Sequence, residues 1–325
     1  MKVIFVGDNH ICDKTPINRT DNYLESTLNK FKDCLDLGRK HKVDAIVLLG
    51  DLFEHREEGA HAVTGVIKHL NEPRDFPVYI TVGNHDILNS YPLEQSSLGI
   101  IIEAGLLIKE DYAPDLGIAF AHFRPTLDEE IKNGFLQTHP AVIWSCHASI
   151  SDAPSPFEEF TFLFKETPTD PKTKLVISGH IHHPMRQERN DGCIFINPGA
   201  IGRRSANKDN IGRDLKILLL EYSLDGTIHK EEYLDLPSVK PSNEVFKISE
   251  LQNLKAQVSV TKQFTQMVAQ ITNDNWQYTN LEDKLLALKN IAKDEKIDEA
   301  VVDYAIKAVR FVNDNPKYKT EDFEL

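Results

Sequence analysis

The stretch Val78-Tyr79-Ile80-Thr81-Val82-Gly83-Asn84-His85-Asp86 decides how the rest of the chain is read. Its first half, mostly β-branched, has the composition of a buried strand. The strand stops at Gly83, and an amide, an imidazole and a carboxylate follow in succession. In open α/β sheets the carboxyl ends of the strands are where ligands sit. Three further apolar runs end in the same manner, at Gly7-Asp8-Asn9-His10, Gly50-Asp51 and Gly179-His180-Ile181-His182. Taken singly, each tip has an ordinary explanation as a helix cap, a turn or a polar strand end. Four such tips, all rich in Asp, His and Asn, point instead to a polynuclear metal site.

Working outward, Lys2–Val6 reads as the first strand and Val43–Leu49 as a strand buried on both faces. Between them Leu24, Leu28, Phe31, Leu35 and Leu37 recur at helical spacing, with Asp21 as the expected N-cap and Glu25 in the first turn. Residues 58–71 read as a second helix, and Phe76–Val82 as the third strand. This β-α-β-α-β order predicts parallel strands with right-handed crossovers, so the tips fall on one edge of the sheet. Further on, strands are expected at 117–123, 141–146 (ending at His147), 173–178 and 193–196, with a short helix at 126–136. A hairpin of 215–220 and 228–236 turns at Leu224-Asp225-Gly226. The expectation is an α/β fold of two packed sheets with helices outside.

Residues 237–245, which contain Pro237 and Pro241, read as a linker. Beyond it the strand pattern disappears. Leu281, Leu285, Leu288 and Ile291, and then Ile297, Val301, Tyr304, Ala308 and Val312, lie at helical spacing. The organisation expected is thus 1–236 as catalytic domain, 237–245 as linker and 246–325 as a C-terminal helical module. The two stripes either pack on one another or dock a partner.

The chain has 325 residues, 41% hydrophobic and 27% charged, which is ordinary for a globular protein. No apolar run approaches the ~20 residues of a membrane span, and Met1–Val6 is too short for a signal peptide. Cys12, Cys34, Cys146 and Cys193 are scattered without CxxC spacing, which fits a reducing, cytoplasmic setting. The net charge of −13 argues against strong sequence-independent adhesion to nucleic acid.

Asp8, His10, Asp51, Asn84, His147, His180 and His182 offer mixed oxygen and nitrogen donors, a set suited to divalent Mn, Fe or Zn. Seven donors hold two ions if one carboxylate is shared, and Asp51 is the natural bridge. Two such ions about 3.5–4 Å apart bind a phosphate and support its in-line displacement. Arg203, Arg204, Lys208 and Arg213 form the clearest basic cluster, read either as phosphate ligands or as a solvated loop. His55 is read as lining the site near the leaving strand, and His183, beside a metal ligand, as a residue supporting that ligand or lying on the surface.

The motifs Asp8-Asn9-His10, Gly50-Asp51, Gly83-Asn84-His85-Asp86, His147 and Gly179-His180-Ile181-His182 together resemble the calcineurin-like metallophosphoesterases, over about residues 1–236. The resemblance implies the four-layer metallophosphoesterase fold, two packed mixed sheets flanked by helices. It implies one ion held by Asp8, His10, Asp51 and His182, and a second by Asp51, Asn84, His147 and His180. It also implies that His85 faces the phosphate and leaving group as an acid or a charge stabiliser, with Asp86 orienting it. Gly50-Asp51-Leu52-Phe53 and the turn Asn197-Pro198-Gly199-Ala200 resemble those of SbcD-type DNA-repair exonucleases. That resemblance implies a DNA substrate in repair, recombination or phage-type replication, Mn as the metal, an SbcC-type ATPase as partner, and a homodimer as an open possibility. Two other readings stand beside it: a phosphoesterase for small or cyclic nucleotides, and a metal-bearing scaffold without catalysis. His85 and the full donor set count against the scaffold.

Overall fold

The computed structural model describes residues 1–87, 92–153, 161–206, 208–247 and 281–294, together with residues 302, 306 and 310. It divides into two compact units, Met1–Phe246 and Lys247–Leu325.

The first unit is built on two sheets. Strands β1 (Lys2–Val6), β2 (Ala45–Leu48) and β3 (Val78–Ile80) are parallel, as their order predicts. The late hairpin β12 (Lys216–Tyr222) and β13 (Ile228–Asp235) completes this sheet by adding β12 antiparallel to β1, in the order β13-β12-β1-β2-β3. The second sheet takes β4 (Tyr112–Ala113), β5 (Ile118–Ala121), β6 (Ile143–Cys146), β9 (Leu175–Ser178), β10 (Met185–Glu188) and β11 (Ile194–Asn197). Its order is β10-β11-β9-β6-β5-β4, parallel through the centre and antiparallel at both edges. A small pair, β7 (Ile150–Ser151) and β8 (Phe162–Leu163), stands apart.

Alternation along the strands makes the layers. On β1, Val3 and Phe5 turn inward and meet Ile118, Ile143, Leu175 and Ile177 of the second sheet. Ile4 and Val6 turn outward, into the cluster holding Phe31 and Leu35 of helix α1 (Tyr23–His41) and Val63 and Val66 of helix α2 (Ala60–Leu70). The outer face of the second sheet, through Trp144, Val176 and Phe195, joins Leu127 and Ile131 of α4 (Leu127–Lys132) and Leu136 of α5 (Phe135–Thr138). Helix α3 (Ser97–Glu103) adds Leu98 and Ile101 to the first outer layer. Four layers result, helix, sheet, sheet, helix.

Local details differ from the expectation in ways with clear causes. The N-cap of α1 is Asn22, whose side chain accepts the Glu25 N–H, while Asp21 is taken by Arg19. The 126–136 helix breaks in two at Gly134, whose φ of 96° suits glycine. The stretch 237–245 is packed rather than free. It contains a short helix, α7 (Ser242–Val245), and buries Val245 and Phe246. Ser238 N–H donates to Asp33, and Arg203 donates to the Lys240 carbonyl.

In the second unit, the helix Leu281–Asp294 buries Leu285, Leu288 and Ala292, with Leu281, Val302 and Ile306 packed against them. This part of the apolar stripe is therefore covered within its own unit, not open for a partner. Ile291's side chain and Ile297, Val301, Tyr304, Ala308 and Val312 lie outside the described residues.

Candidate metal centre

The polar tips do not share one sheet edge. Those after β1, β2 and β3 come from the first sheet and those after β6 and β9 from the second. They meet at the seam between the sheets, where Thr81 Oγ1 and Ser145 Oγ are 2.6 Å apart. Close approach explains two of the motif glycines. A Cβ on Gly50 would stand 2.2 Å from His147 Nδ1, and one on Gly179 would stand 2.4 Å from the Leu49 carbonyl oxygen. Of the four described non-glycine residues with positive φ, three are tip residues: His10 (51°), Asp51 (48°) and His180 (75°). Such backbone is held only where its surroundings require it, and it gathers at functional sites.

Three overlapping donor groups form, one of which, His10, Asp51 and His85, bridges the other two. Asp8, His10 and His182 make the first, with His10 Nε2 3.0 Å from His182 Nε2 and His182 Nε2 3.4 Å from Asp8 Oδ2. Asp51, His147 and His180 make the second, with His147 Nε2 3.3 Å from Asp51 Oδ2. Asn84 Oδ1 joins the second group at 3.0 Å from His147 Nε2 and 2.9 Å from His180 Nδ1. Asp51 also reaches toward the first, its Oδ2 3.9 Å from His10 Nε2. Backbone bonds fix the donors from behind. His147 Nδ1–H donates to the Leu49 carbonyl at 2.7 Å, which turns Nε2 inward, and His180 N–H donates to Asp8.

The electrostatics are those of a cation site. Burial pushes the Asp8 carboxyl up, but the His182 contact and the charge of His147 outweigh it and hold the group at about 2. Burial likewise opposes ionisation of Asp51, and His147, His10 and His85 pull it well below the carboxylate range. His147 is pushed down by burial and up by Asp51 and Asp8, the second winning, to about 10. His180 is lowered to about 4 by burial and by the His147 charge. Two buried carboxylates thus stay charged against convergent imidazoles, so donor chemistry and charge both fit divalent ions.

His85 occupies the open side. Its Nδ1–H donates to the Glu54 carbonyl at 2.6 Å, its ring packs edge-on to His10, and it borders a cavity of about 630 Å³. The expectation that Asp86 orients this ring is corrected here. Asp86 is buried and accepts the backbone N–H groups of Gly83 (2.9 Å) and Phe53 (3.4 Å), so it holds the tip rather than the imidazole. Burial, with the Asp51 charge, raises its carboxyl to about 7.

Glu54 was missed in the sequence. Its backbone oxygen aims His85, and its buried carboxylate stands 3.0 Å from His10 Nδ1, an ion-pair contact without good hydrogen-bond alignment. The same carboxylate binds Arg204. Of the basic cluster, Arg204 is the member whose side chain borders the cavity with substantial exposure, 43%. Arg203 is buried and turned away toward Lys240. Arg213 borders the cavity, but it is buried and donates to the carbonyls of His182 and Gly202. Lys208 begins the short helix α6 (Lys208–Gly212), and its side chain lies outside the described residues. His55 is not among the cavity residues and gathers with Cys12 and Glu58 instead.

The calcineurin-like phosphoesterase superfamily domain matches residues 1–213. The chain belongs to this superfamily. It is a metal-dependent phosphoesterase, and membership implies divalent metal ions. The DNA double-strand break repair protein Mre11 of Methanococcus maripaludis is similar at 22% identity over 332 residues, covering 93% of this chain and 87% of the relative. Solved structures with a likeness include Yfce, a phosphoesterase from E. coli, at 18% identity and a TM-score of 0.37, over 72% of this chain and 100% of the other. A dimetal phosphatase from Danio rerio gives 11% identity and a TM-score of 0.42, over 73% of this chain and 99% of the other. Among the described residues no helix is long and apolar enough to cross a membrane.

Proposed function

We propose that this superfamily member cleaves phosphodiesters in DNA, as a nuclease of SbcD type in repair, recombination or phage-type replication. The observation that carries the two-ion reading is the position of Asp51. It belongs to the donor group of His147 and His180 and also faces His10 of the other group. Asp8, His10, Asp51 and His182 would hold one ion, and Asp51, Asn84, His147 and His180 the other, with Mn the expected metal and Fe or Zn the alternatives. Bound, the two ions supply Lewis acidity to a phosphoryl group and lower the pKa of water.

The chain's own residues do the rest. Because His85 Nδ1–H is committed to the Glu54 carbonyl, the opposite ring edge is available to the cavity, where Nε2 is the atom that passes a proton to the departing oxygen. Arg204 offers a fork to a phosphate at the rim. A DNA substrate is supported by the extent of the likeness to Mre11, nearly the whole chain. An SbcC-type ATPase and a second copy of this chain are the partners expected of such an enzyme.

A small or cyclic nucleotide is the second reading. The net charge of −13 and the inward commitment of Arg203 and Arg213 favour it. Protein stripped of metal and reloaded with Mn²⁺ decides between them when given duplex DNA, single-stranded DNA and a cyclic nucleotide. Cleavage of DNA is expected. Turnover of the cyclic nucleotide alone would overturn the nuclease reading, and metal binding without any turnover would leave the scaffold.

A further inference from the structure

We infer that Cys12, His55 and Glu58 form a third metal site, mononuclear and suited to zinc, at the back of the loops that carry the two-ion centre. One ligand atom from each residue lies within 4.8 Å of the other two. None of the three borders the 630 Å³ cavity, so this cluster is not an extension of the site already described.

The fold brings them together deliberately. Past the ends of β1 and β2 the two chains stay paired: Ile11 N–H donates to the Leu52 carbonyl, and Glu54 N–H donates to the Ile11 carbonyl. Cys12 and His55 are thereby carried out side by side. Glu58 is steadied by the backbone, its Oε1 accepting His55 N–H at 3.1 Å and its Oε2 accepting Asp13 N–H at 3.2 Å. Each carboxylate oxygen keeps a further lone pair for a cation.

Asp13, which follows Cys12 and donates its N–H to Glu58, puts a second carboxylate in the neighbourhood. Asp13 Oδ1 is buried with no hydrogen-bond partner. Its carboxylate is pressed against Gly59, where a Cβ would stand 1.7 Å from Oδ2.

Thiol, imidazole and carboxylate together select zinc, which takes three protein ligands and leaves a fourth position open. His55 is exposed, so that position faces solvent. On binding, the thiol proton leaves to solvent and sulfur coordinates as thiolate. The two-ion centre contains no sulfur, so the sites differ in the metal they prefer. An ion here would staple the loop after β1, which carries His10, to the loop after β2, which carries Asp51 and Glu54.

Cobalt titrated into the metal-stripped full chain tests this, because only thiolate ligation gives a sulfur-to-cobalt charge-transfer band. The band is expected to saturate at one ion per chain and to persist in Asp51→Asn. It is expected to vanish in Cys12→Ser. Absence of the band in the natural chain, or its survival in Cys12→Ser, overturns the site. If Cys12→Ser does not fold, His55→Gln decides. Exposed His55 can be replaced without opening the core, and the cobalt affinity reported by the band should fall roughly tenfold or more. Unchanged affinity in His55→Gln overturns the site as well.

Discussion

His85 and Asp51 share a hydrogen bond, His85 N–H to Asp51 Oδ1 at 2.9 Å, yet their replacement should have different consequences. Asp51→Ala removes the donor common to both groups, and should abolish tight metal loading and activity together. His85→Ala leaves the donors in place and removes the group proposed to protonate the leaving oxygen. It should keep its metal and lose roughly 10²–10⁴-fold in turnover. Metal analysis beside steady-state rates separates the two, and a metal-free His85→Ala protein contradicts the assignment. Glu54→Gln is subtler. The backbone oxygen that aims His85 stays, but the charge facing His10 and Arg204 goes. Metal affinity should drop about 10–100-fold, as when a ligand histidine loses its carboxylate support, and direct titration of the stripped variant measures it. Six of the seven donors were legible because their tips follow a glycine that ends an apolar run, whereas His147 follows Cys146 and alone looks like an ordinary polar strand end. Glu54 was not, because an acid one position past Phe53 looks like any surface acid. Its burial depends on Arg204, 150 residues further along.

Elements on both sides of the site show how clustered charge misleads a reader of sequence. Arg203, Arg204 and Arg213 look alike, but burial divides them, and the carbonyls that hold Arg203 and Arg213 come from chain turns that only the tertiary structure brings near. Arg204→Glu should therefore flatten the logarithmic salt dependence of DNA binding by roughly one, the share of a single phosphate contact. Binding isotherms at several salt concentrations read this, and an unchanged slope removes Arg204 from the interface. Helix α1 contributes Lys30, buried, whose Nζ donates to the Ile201 carbonyl at 2.6 Å. Burial, helped by Arg19, Arg203 and Arg213, lowers its pKa from the ordinary 10.5 to about 7. Between those values the unfolded chain holds a proton that the folded chain does not, so stability attributable to Lys30 rises with pH across this window. Lys30→Met should flatten the profile there, and denaturant midpoints between pH 7 and 10 compare the two. Strand legibility followed the same logic. β2 was plain because both its faces are buried, whereas β10, Met185-Arg186-Gln187-Glu188, is a polar sheet edge without an apolar run.

At the scale of the whole molecule, the boundary between units falls after Phe246. The prolines of 237–245 suggested a free tether. Its packing was not legible, because the partners of Val245 and Phe246 lie near residues 19 and 20, where Thr20 N–H meets the Val245 carbonyl and the Arg19 guanidinium covers the Phe246 ring. Truncation after Phe246 should leave a folded, metal-binding phosphoesterase. Truncation after Leu236 should cost about 3 kcal/mol or more, from the lost burial of Val245 and Phe246. Thermal melts of the two truncations check this, and equal stability would show that the segment contributes nothing to the fold.

The place of β12 beside β1 has a consequence for how the protein is made. β1 is made long before one of its two neighbours, which does not begin until Lys216. Throughout synthesis of everything between, the nascent chain carries an open strand edge able to pair wrongly. Until residue 180 it also has only the earlier donors, Asp8, His10, Asp51, Asn84 and then His147, because His180 and His182 are translated late. An ion captured early would be held by part of a site, so a complete centre is a sign that translation has passed β9, the central strand of the second sheet. The closing hairpin then shuts the edge over a strand whose own loop, with Asp8 and His10, was made about two hundred residues earlier.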